Sequence, residues 1–459
     1  MAPLEHYAHA HARLLGNKGA LLDEFGDRAA ADDCYARFEI LSRLLGNDHR
    51  LANAVGLAAR SALLRNDLAT AEKKYNEEAQ LASKVGDPLR KIAATLHLAR
   101  LAASRGRYSE AENGFKDALR AARQISHEKR LTDTLESYAE FLRERRDLPT
   151  AYRHLREALA LCGEPEKVAN VNRSLARVCH DAGLYGESLE YLMCSATVRA
   201  QLYAQLGPQR HLGKARFDEL KGLTKTLVDE ALLVSRTPEL ELKLEALVNN
   251  VHGDSDAWSS YKSAAENDAK SSLWARHQAI RERSVTTWTE HLLPNDFSSL
   301  SDRSQAILER AERSYSSAVD DLGRSAHLLV IVIECVIKQR LFTTVSSNQK
   351  WMLGNMVPVL RDALSSAPAQ KAKYPRLYQH IHRHRSIIER IVNAFDPIPF
   401  RGRDLLIVDI RNGVAHGDEA ILDSLDRLQV DAIKRHLALE APEGGLTIMQ
   451  ALARLKDLQ

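Results

Sequence analysis

The chain has few of the residues that interrupt helices: 13 prolines and 22 glycines in 459 residues. The β-branched runs that a sheet protein needs are scarce, whereas Ala, Leu, Glu, Arg and Lys abound, so helices are expected to dominate. Cysteine is scarce too. The five present (Cys34, Cys162, Cys179, Cys194, Cys335) are odd in number, scattered and without paired metal spacing. That excludes a disulfide framework and points to a reducing, cytoplasmic setting. No apolar run is long enough to span a bilayer, the longest being Leu328 to Ile337 with Glu334 inside it. The N-terminal MAPLEHYAHAHARLLG lacks an apolar signal core, so a soluble protein with no membrane association is expected. Charge of one sign is also missing. A net charge of +3 leaves any nucleic-acid role to a local patch rather than to general basicity. No Gly-rich phosphate loop, Ser-His-Asp arrangement or activated cysteine is visible, and no cofactor is expected.

What is present first is a repeat. Ala31, Ala71, Ala111 and Ala151 recur at a step of 40, each followed four residues later by a large side chain: Tyr35, Tyr75, Phe115 and Leu155. Five residues before each alanine stands a turn position, held by Gly26, Asn66, Gly106 and Arg146. Ala59, Ala99 and Ala139 lie twelve residues before the last three of these alanines. A shorter copy follows at a step of 37, with Ala176, Gly183, Ser188 and Leu192. This pattern predicts stacked helix-turn-helix units, in which small residues let paired helices approach and the bulky residue fills the gap to the next unit. The Ala-x-x-x-aromatic element is similar to that of tetratricopeptide repeats. Ala118 and Ala158 match a further small position of that pattern, from which Glu78 departs. The period exceeds the usual ~34 residues of such repeats, so extended helices or longer loops are expected, with HEAT-like pairs as the alternative. These stripes are read as core packing, and a protein or peptide partner is expected in the groove by analogy alone.

Past residue 196 the repeat fades. Thr237-Pro238-Glu239 is a helix start, and Trp258, Trp274 and Trp288 are expected to pin helices together. Leu293-Pro294-Asn295-Asp296 with Ser298 to Ser301 is the best boundary signal. Three segments follow: repeats over 1–196, a helical connector over 197–300, and a C-terminal helical bundle over 301–459. In the last, a helix is expected from about Ala311 through Phe342, with Leu328, Ile331, Val332 and Cys335 as its apolar face. Others are expected over about Trp351 to Leu364 and Tyr374 to Phe395, the second of them basic. Apolar helix-forming sequence (Leu405, Leu406, Ile407, Val408, Ile410) then leads into Arg411-Asn412-Gly413-Val414-Ala415-His416-Gly417. A final helix carries Ile421, Leu425, Leu428 and Ala432.

The 411–417 segment places a fixed cation, an amide and a group titrating near neutral pH within six residues. An arginine grips phosphate oxygens with a forked donor, and a histidine moves a proton near pH 7. The order Arg-Asn-x-x-x-His, set before an amphipathic helix in an all-helical domain, resembles the signature of HEPN domains, a family with many metal-independent ribonucleases. The resemblance covers roughly the last 150 residues. It implies an RNA substrate, with His416 exchanging a proton with the ribose 2′-hydroxyl or the leaving oxygen. Arg411 would hold the phosphate, Asn412 would orient it, and the product would be a cyclic phosphate. On a straight helix an i to i+5 step turns by about 140°, so Arg411 and His416 diverge unless Gly413 bends the segment or two protomers pool their residues. The resemblance favours the second and implies a homodimer through this domain.

Glu334, an acid in apolar sequence, needs a partner if buried. Arg411 would make it a supporting group of the site; a structural pair and simple exposure are the other readings. The basic stretch Lys371 to Arg390 contains Arg376, His380, Arg383, His384 and Arg385, which can track an RNA backbone or form a solvated helix face. His380 and His384 lie one turn apart without a completing ligand set, and Asp404, Asp409, Asp418 and Asp423 follow helix surfaces. No metal site is expected. The sequence reads as all-α: a tetratricopeptide-like solenoid that binds a partner, fused to an HEPN-like endoribonuclease of a toxin or anti-phage type. The alternative is a non-catalytic scaffold whose bundle dimerises or binds nucleotide.

Overall fold

Two 17-residue helices joined by three-residue turns produce the forty-residue period. In the computed structural model the described residues are 2–25, 27–205, 222, 242–243, 245–249, 258–259, 287–315, 322–343, 345, 351–415 and 425–455. Thr237-Pro238-Glu239, Trp274, His416, Gly417, Asp418, Ile421 and Asp423 therefore lie outside them. The fold is all-α, with a single short hairpin among the described residues. No helix in that set is long and apolar enough to cross a membrane.

The array begins with α1 (Ala2–Phe25), α2 (Arg28–Leu44), α3 (Asp48–Leu64), α4 (Leu68–Lys84), α5 (Pro88–Ser104) and α6 (Tyr108–Ile125). It continues with α7 (Glu128–Glu144), α8 (Leu148–Leu161), α9 (Pro165–Asp181) and α10 (Tyr185–Ala204). Extended helices, not long loops, thus account for the long period. All four repeat alanines are fully buried, and so are the large residues one turn on. Three of the four turn positions are left-handed, with φ 62° at Asn66, 74° at Gly106 and 65° at Arg146, while Gly26 lies outside the described residues. A second left-handed series stands at Gly46, Gly86 and Ser126, also forty apart. Asp27, Asn47, Asp67 and Asp87, at a step of twenty, each accept the backbone N–H three residues on. That is the N-cap bond that satisfies an otherwise orphaned donor.

Glu78, the residue that departs from the small-residue pattern, is buried where the two following repeats have Ala118 and Ala158. Gly56 on α3 makes the room, since a Cβ there would sit 2.4 Å from the Glu78 carboxylate. Arg90 Nη1 donates to it at 3.2 Å and also to Asn53 Oδ1 at 3.3 Å. Burial still prevails over Arg90 and pushes the Glu78 carboxyl up to about 7. The folded chain therefore holds a proton that the unfolded chain releases near its ordinary 4.5. Stability from this group is present below that value and is lost as pH rises toward 7. Protection factors of α3–α5 amides, with the base-catalysed rise of the intrinsic exchange rate divided out, should fall over this window, and Glu78→Gln should flatten that fall; an unchanged fall in that variant would exclude Glu78 as its source.

The chain forms two compact units: residues 1–141 with 160–162, and 142–159 with 163–459. In the second, α9 and α10 belong with the C-terminal helices. These are α11 (Asp302–Tyr315), α12 (Leu322–Ile337, continued by a π-helical turn to Phe342), α13 (Leu353–Leu364), α14 (Pro375–Arg383) and α15 (Arg385–Val392). After the hairpin come α16 (Ile407–Ala415), α17 (Arg427–Ala438) and α18 (Ile448–Arg454). The single helix expected over 374–395 is two, broken at His384, where φ is −113° and ψ 29°; no proline or glycine marks the place. The helix expected before Arg411 starts only at Ile407. Leu405 belongs to a strand, because Pro397 and Pro399 forbid a helix and Arg401-Gly402 (φ 47° and 78°) make a type I′ turn pairing Ile398–Phe400 with Arg403–Leu405. Helix α17 is followed by α18, which was not expected. Asp296, in the segment read as a boundary, grips Arg454 of α18 with two bonds of 2.8 and 2.9 Å.

A buried polar network ties α10 to α11 and α17. Lys434 and Glu312 form an ion pair, each side chain 2% exposed, with the ammonium 5.3 Å from the Tyr315 ring centroid and 5.8 Å from that of Trp288. The Tyr315 hydroxyl donates to Asp431, which also accepts the Glu187 backbone N–H at 2.9 Å. Gly186 permits that approach, since a Cβ would come within 2.8 Å of the Asp431 carboxylate. Arg435 pairs with Glu187 and, at 3.0 Å, with Glu440. Such a network is satisfied only when these helices meet in one register.

Candidate active site

Helices α12 and α16 pack together because each buries an apolar stripe: Val330, Ile333 and Ile337 on the first, Ile407 and Ile410 on the second. That packing brings Glu334 and Arg411 together across 77 residues of sequence, with Arg411 Nε 2.6 Å from Glu334 Oε2. The side chains are 12% and 18% exposed, so Glu334 is not a surface acid. In such a half-dry setting a charge-assisted bond fixes both groups. Asn412 is the next residue of α16. His416 follows the end of this helix in sequence and lies outside the described residues.

One nearby group was not anticipated. His327 lies seven residues before Glu334 on α12, hence on the same face two turns away. It is half-buried, and its Nδ1 is shielded from solvent with no hydrogen-bond partner among the described residues. Burial lowers its pKa, the Arg411 charge lowers it further, and Glu334 opposes them. The sequence held a signal for it in the seven-residue spacing from Glu334. Cys335, also half-buried beside these charges, has its thiol pushed up, mainly by burial.

The basic stretch does not act as one face. Arg376 and Arg383 are exposed. His380 is buried, its ring tilted 4.7 Å from that of half-buried His384. Arg385 pairs with Glu389 at 2.7 Å and donates to the Leu364 carbonyl at 2.7 Å. Arg390 donates to the Leu446 carbonyl at 2.9 Å and to that of Glu440. Structural bonds thus engage Arg385 and Arg390, while Lys371, Lys373, Arg376 and Arg383 are exposed. Among the described residues, no three His, Cys, Asp or Glu side chains gather as a metal-ligand set.

No protein-family model matches the chain, and neither does any curated protein. Among solved structures, the crystal structure of BtubC (BKLC) from P. vanneervenii is similar over 44% of this chain and 90% of its own, at 16% identity and a TM-score of 0.37.

Proposed function

We propose that the C-terminal helices form a metal-independent endoribonuclease of the HEPN kind, serving a toxin or anti-phage effector whose helical repeats bind a protein or peptide partner. The observation that supports this reading most is the Glu334–Arg411 ion pair, which holds a guanidinium by a carboxylate at the start of the Arg-Asn-x-x-x-His segment. A fixed guanidinium suits phosphate, because its orientation is set before the charge of the transition state develops. In this reading Arg411 grips the scissile phosphate, Asn412 orients it and His416 transfers a proton. Exposed Arg376 and Arg383, seven residues apart on one face of α14, draw in the backbone. Two copies meet across a two-fold axis and pool their segments.

The test is cleavage of total RNA by the purified full-length chain in EDTA, together with expression toxicity and the mass in solution. Fragments ending in cyclic phosphate, made by a species of twice 51.3 kDa, are expected. His416→Ala should remove both cleavage and toxicity while leaving the dimer intact. Unchanged cleavage in that variant sinks the assignment. A folded dimer that neither cuts RNA nor harms its host favours the interaction scaffold instead.

A further inference from the structure

Within the first unit, the odd-numbered helices bury two repeat positions against the helix before them. Ala54 of α3 packs with Cys34 and Phe38 of α2, and Ser61 bonds to Asp32 of the same helix. Forty residues after Ser61, Leu101 of α5 packs with Ala71 and Tyr75 of α4. Forty further on, the Phe141 ring of α7 lies 5.0 Å from that of Phe115 on α6. Ala94 and Thr134, which repeat Ala54, are fully buried. On α1 the same two positions are Leu14 and Leu21. They are 61% and 54% exposed, and Tyr7, seven residues before Leu14, is 72% exposed.

We propose that α1 is a self-association surface: two copies of the chain pack α1 against α1, antiparallel, across a two-fold axis at Leu14. Helix α1 presents the face that receives a neighbouring helix elsewhere in the unit, and among the described residues nothing covers it. The outer face of an end unit is ordinarily polar, which keeps such arrays soluble. Leucine and tyrosine here instead call for a helix.

The pattern selects a second α1 as that helix. Tyr7, Leu14 and Leu21 are seven apart, close to two turns, so they form one line of about 21 Å along the helix. The line is symmetrical about Leu14. Turned end for end it is its own complement, with Leu14 meeting Leu14 and Tyr7 meeting Leu21, the isologous contact of a two-fold pair. Direction agrees, since short turns make consecutive helices of the unit antiparallel and the face is already shaped for such a neighbour. Charge agrees as well. The exposed polar residues beside the line are His11, Arg13, Asn17 and Lys18. In this register Lys18 falls level with Ala10 of the other copy, Arg13 with Leu15 and His11 with Asn17, so no two cations stand opposite. Three apolar side chains per copy make a smaller contact than the ~1,600 Å² of a standard interface, and association through α1 should grow with concentration. The inference is independent of the ribonuclease reading and of the dimer that belongs to it.

The experiment uses the full-length chain. Sedimentation over a hundredfold range of concentration should show the parent growing to about twice its low-concentration mass, whether that starting species is a monomer or a C-terminal dimer. Leu14→Glu should shift the midpoint of this growth at least tenfold upward, with helix content unchanged because the side chain is exposed. Mild oxidation tests the register, since thiols on the axis meet within disulfide reach. Leu14→Cys should give a covalent dimer well above the background from the parent, whose exposed thiol is Cys194. Tyr7→Cys and Leu21→Cys should stay at background singly, and the chain carrying both should cross-link. Growth unaffected by Leu14→Glu overturns the surface. Cross-linking of Leu14→Cys at background, or equal cross-linking from all three single cysteines, overturns the antiparallel pair and leaves a different occupant for this face.

Discussion

Lys434→Met is expected to destabilise the second unit by about 3–5 kcal/mol, because it leaves the Glu312 carboxylate buried without its counter-charge. The pair lies fully inside the protein, and the methylene stem of Lys434 packs where a methionine fits, so the loss reports charge rather than volume. Gly183 and Trp288, which border the ammonium, tolerate the exchange sterically, since methionine is the smaller occupant at that end. The double change Lys434→Met with Glu312→Leu should recover most of the stability, as apolar replacements of whole buried pairs commonly do. The measurement has a built-in selectivity. All four tryptophans (Trp258, Trp274, Trp288 and Trp351) belong to the second unit, so tryptophan fluorescence in urea follows that unit alone. A single variant within 1 kcal/mol of the parent, or a double variant no better than the single, would mean that the pair is not what joins α11 to α17.

The same network shows why part of this fold was legible in the sequence and part was not. The repeats could be read because their determinants are local and recur. Ala31, Ala71, Ala111 and Ala151 each stand one turn from the large side chain they accompany, and the left-handed turns fall on Asn66, Gly106 and Arg146. Lys434, Asp431 and Glu312 could not, because a charge on an amphipathic helix reads as its wet face, and the partners lie more than a hundred residues apart. Glu334 was the intermediate case. Its apolar neighbours announce that a buried acid there needs a cation, but they do not say which. A lone histidine such as His327 carries no comparable signal, since nothing in its neighbours' chemistry demands a partner. The hairpin at 398–405 was readable in principle from Pro397, Pro399 and the Arg401-Gly402 turn, yet the apolar run after it suggested a longer helix.

Arg411→Lys should be the most informative single change in the candidate site, with RNA cleavage expected to fall by about 10²–10³-fold. Lysine keeps the positive charge, so any role that needs only charge would survive. It cannot keep the geometry, because the guanidinium meets Glu334 through Nε and an ammonium has no planar fork with which to hold a carboxylate and a phosphate at once. An ammonium bound to Glu334 has no second donor set fixed in direction. Glu334→Gln separates the two halves of this argument. The amide oxygen still accepts from Nε, so orientation is largely kept, and a fall of only about tenfold is expected, within the range seen for residues that support a reacting group. The order matters more than the sizes. If Arg411→Lys cleaves like the parent but unfolds at lower urea, the ion pair is a strut between α12 and α16. If cleavage is lost with stability unchanged, the carboxylate positions a phosphate-binding arginine.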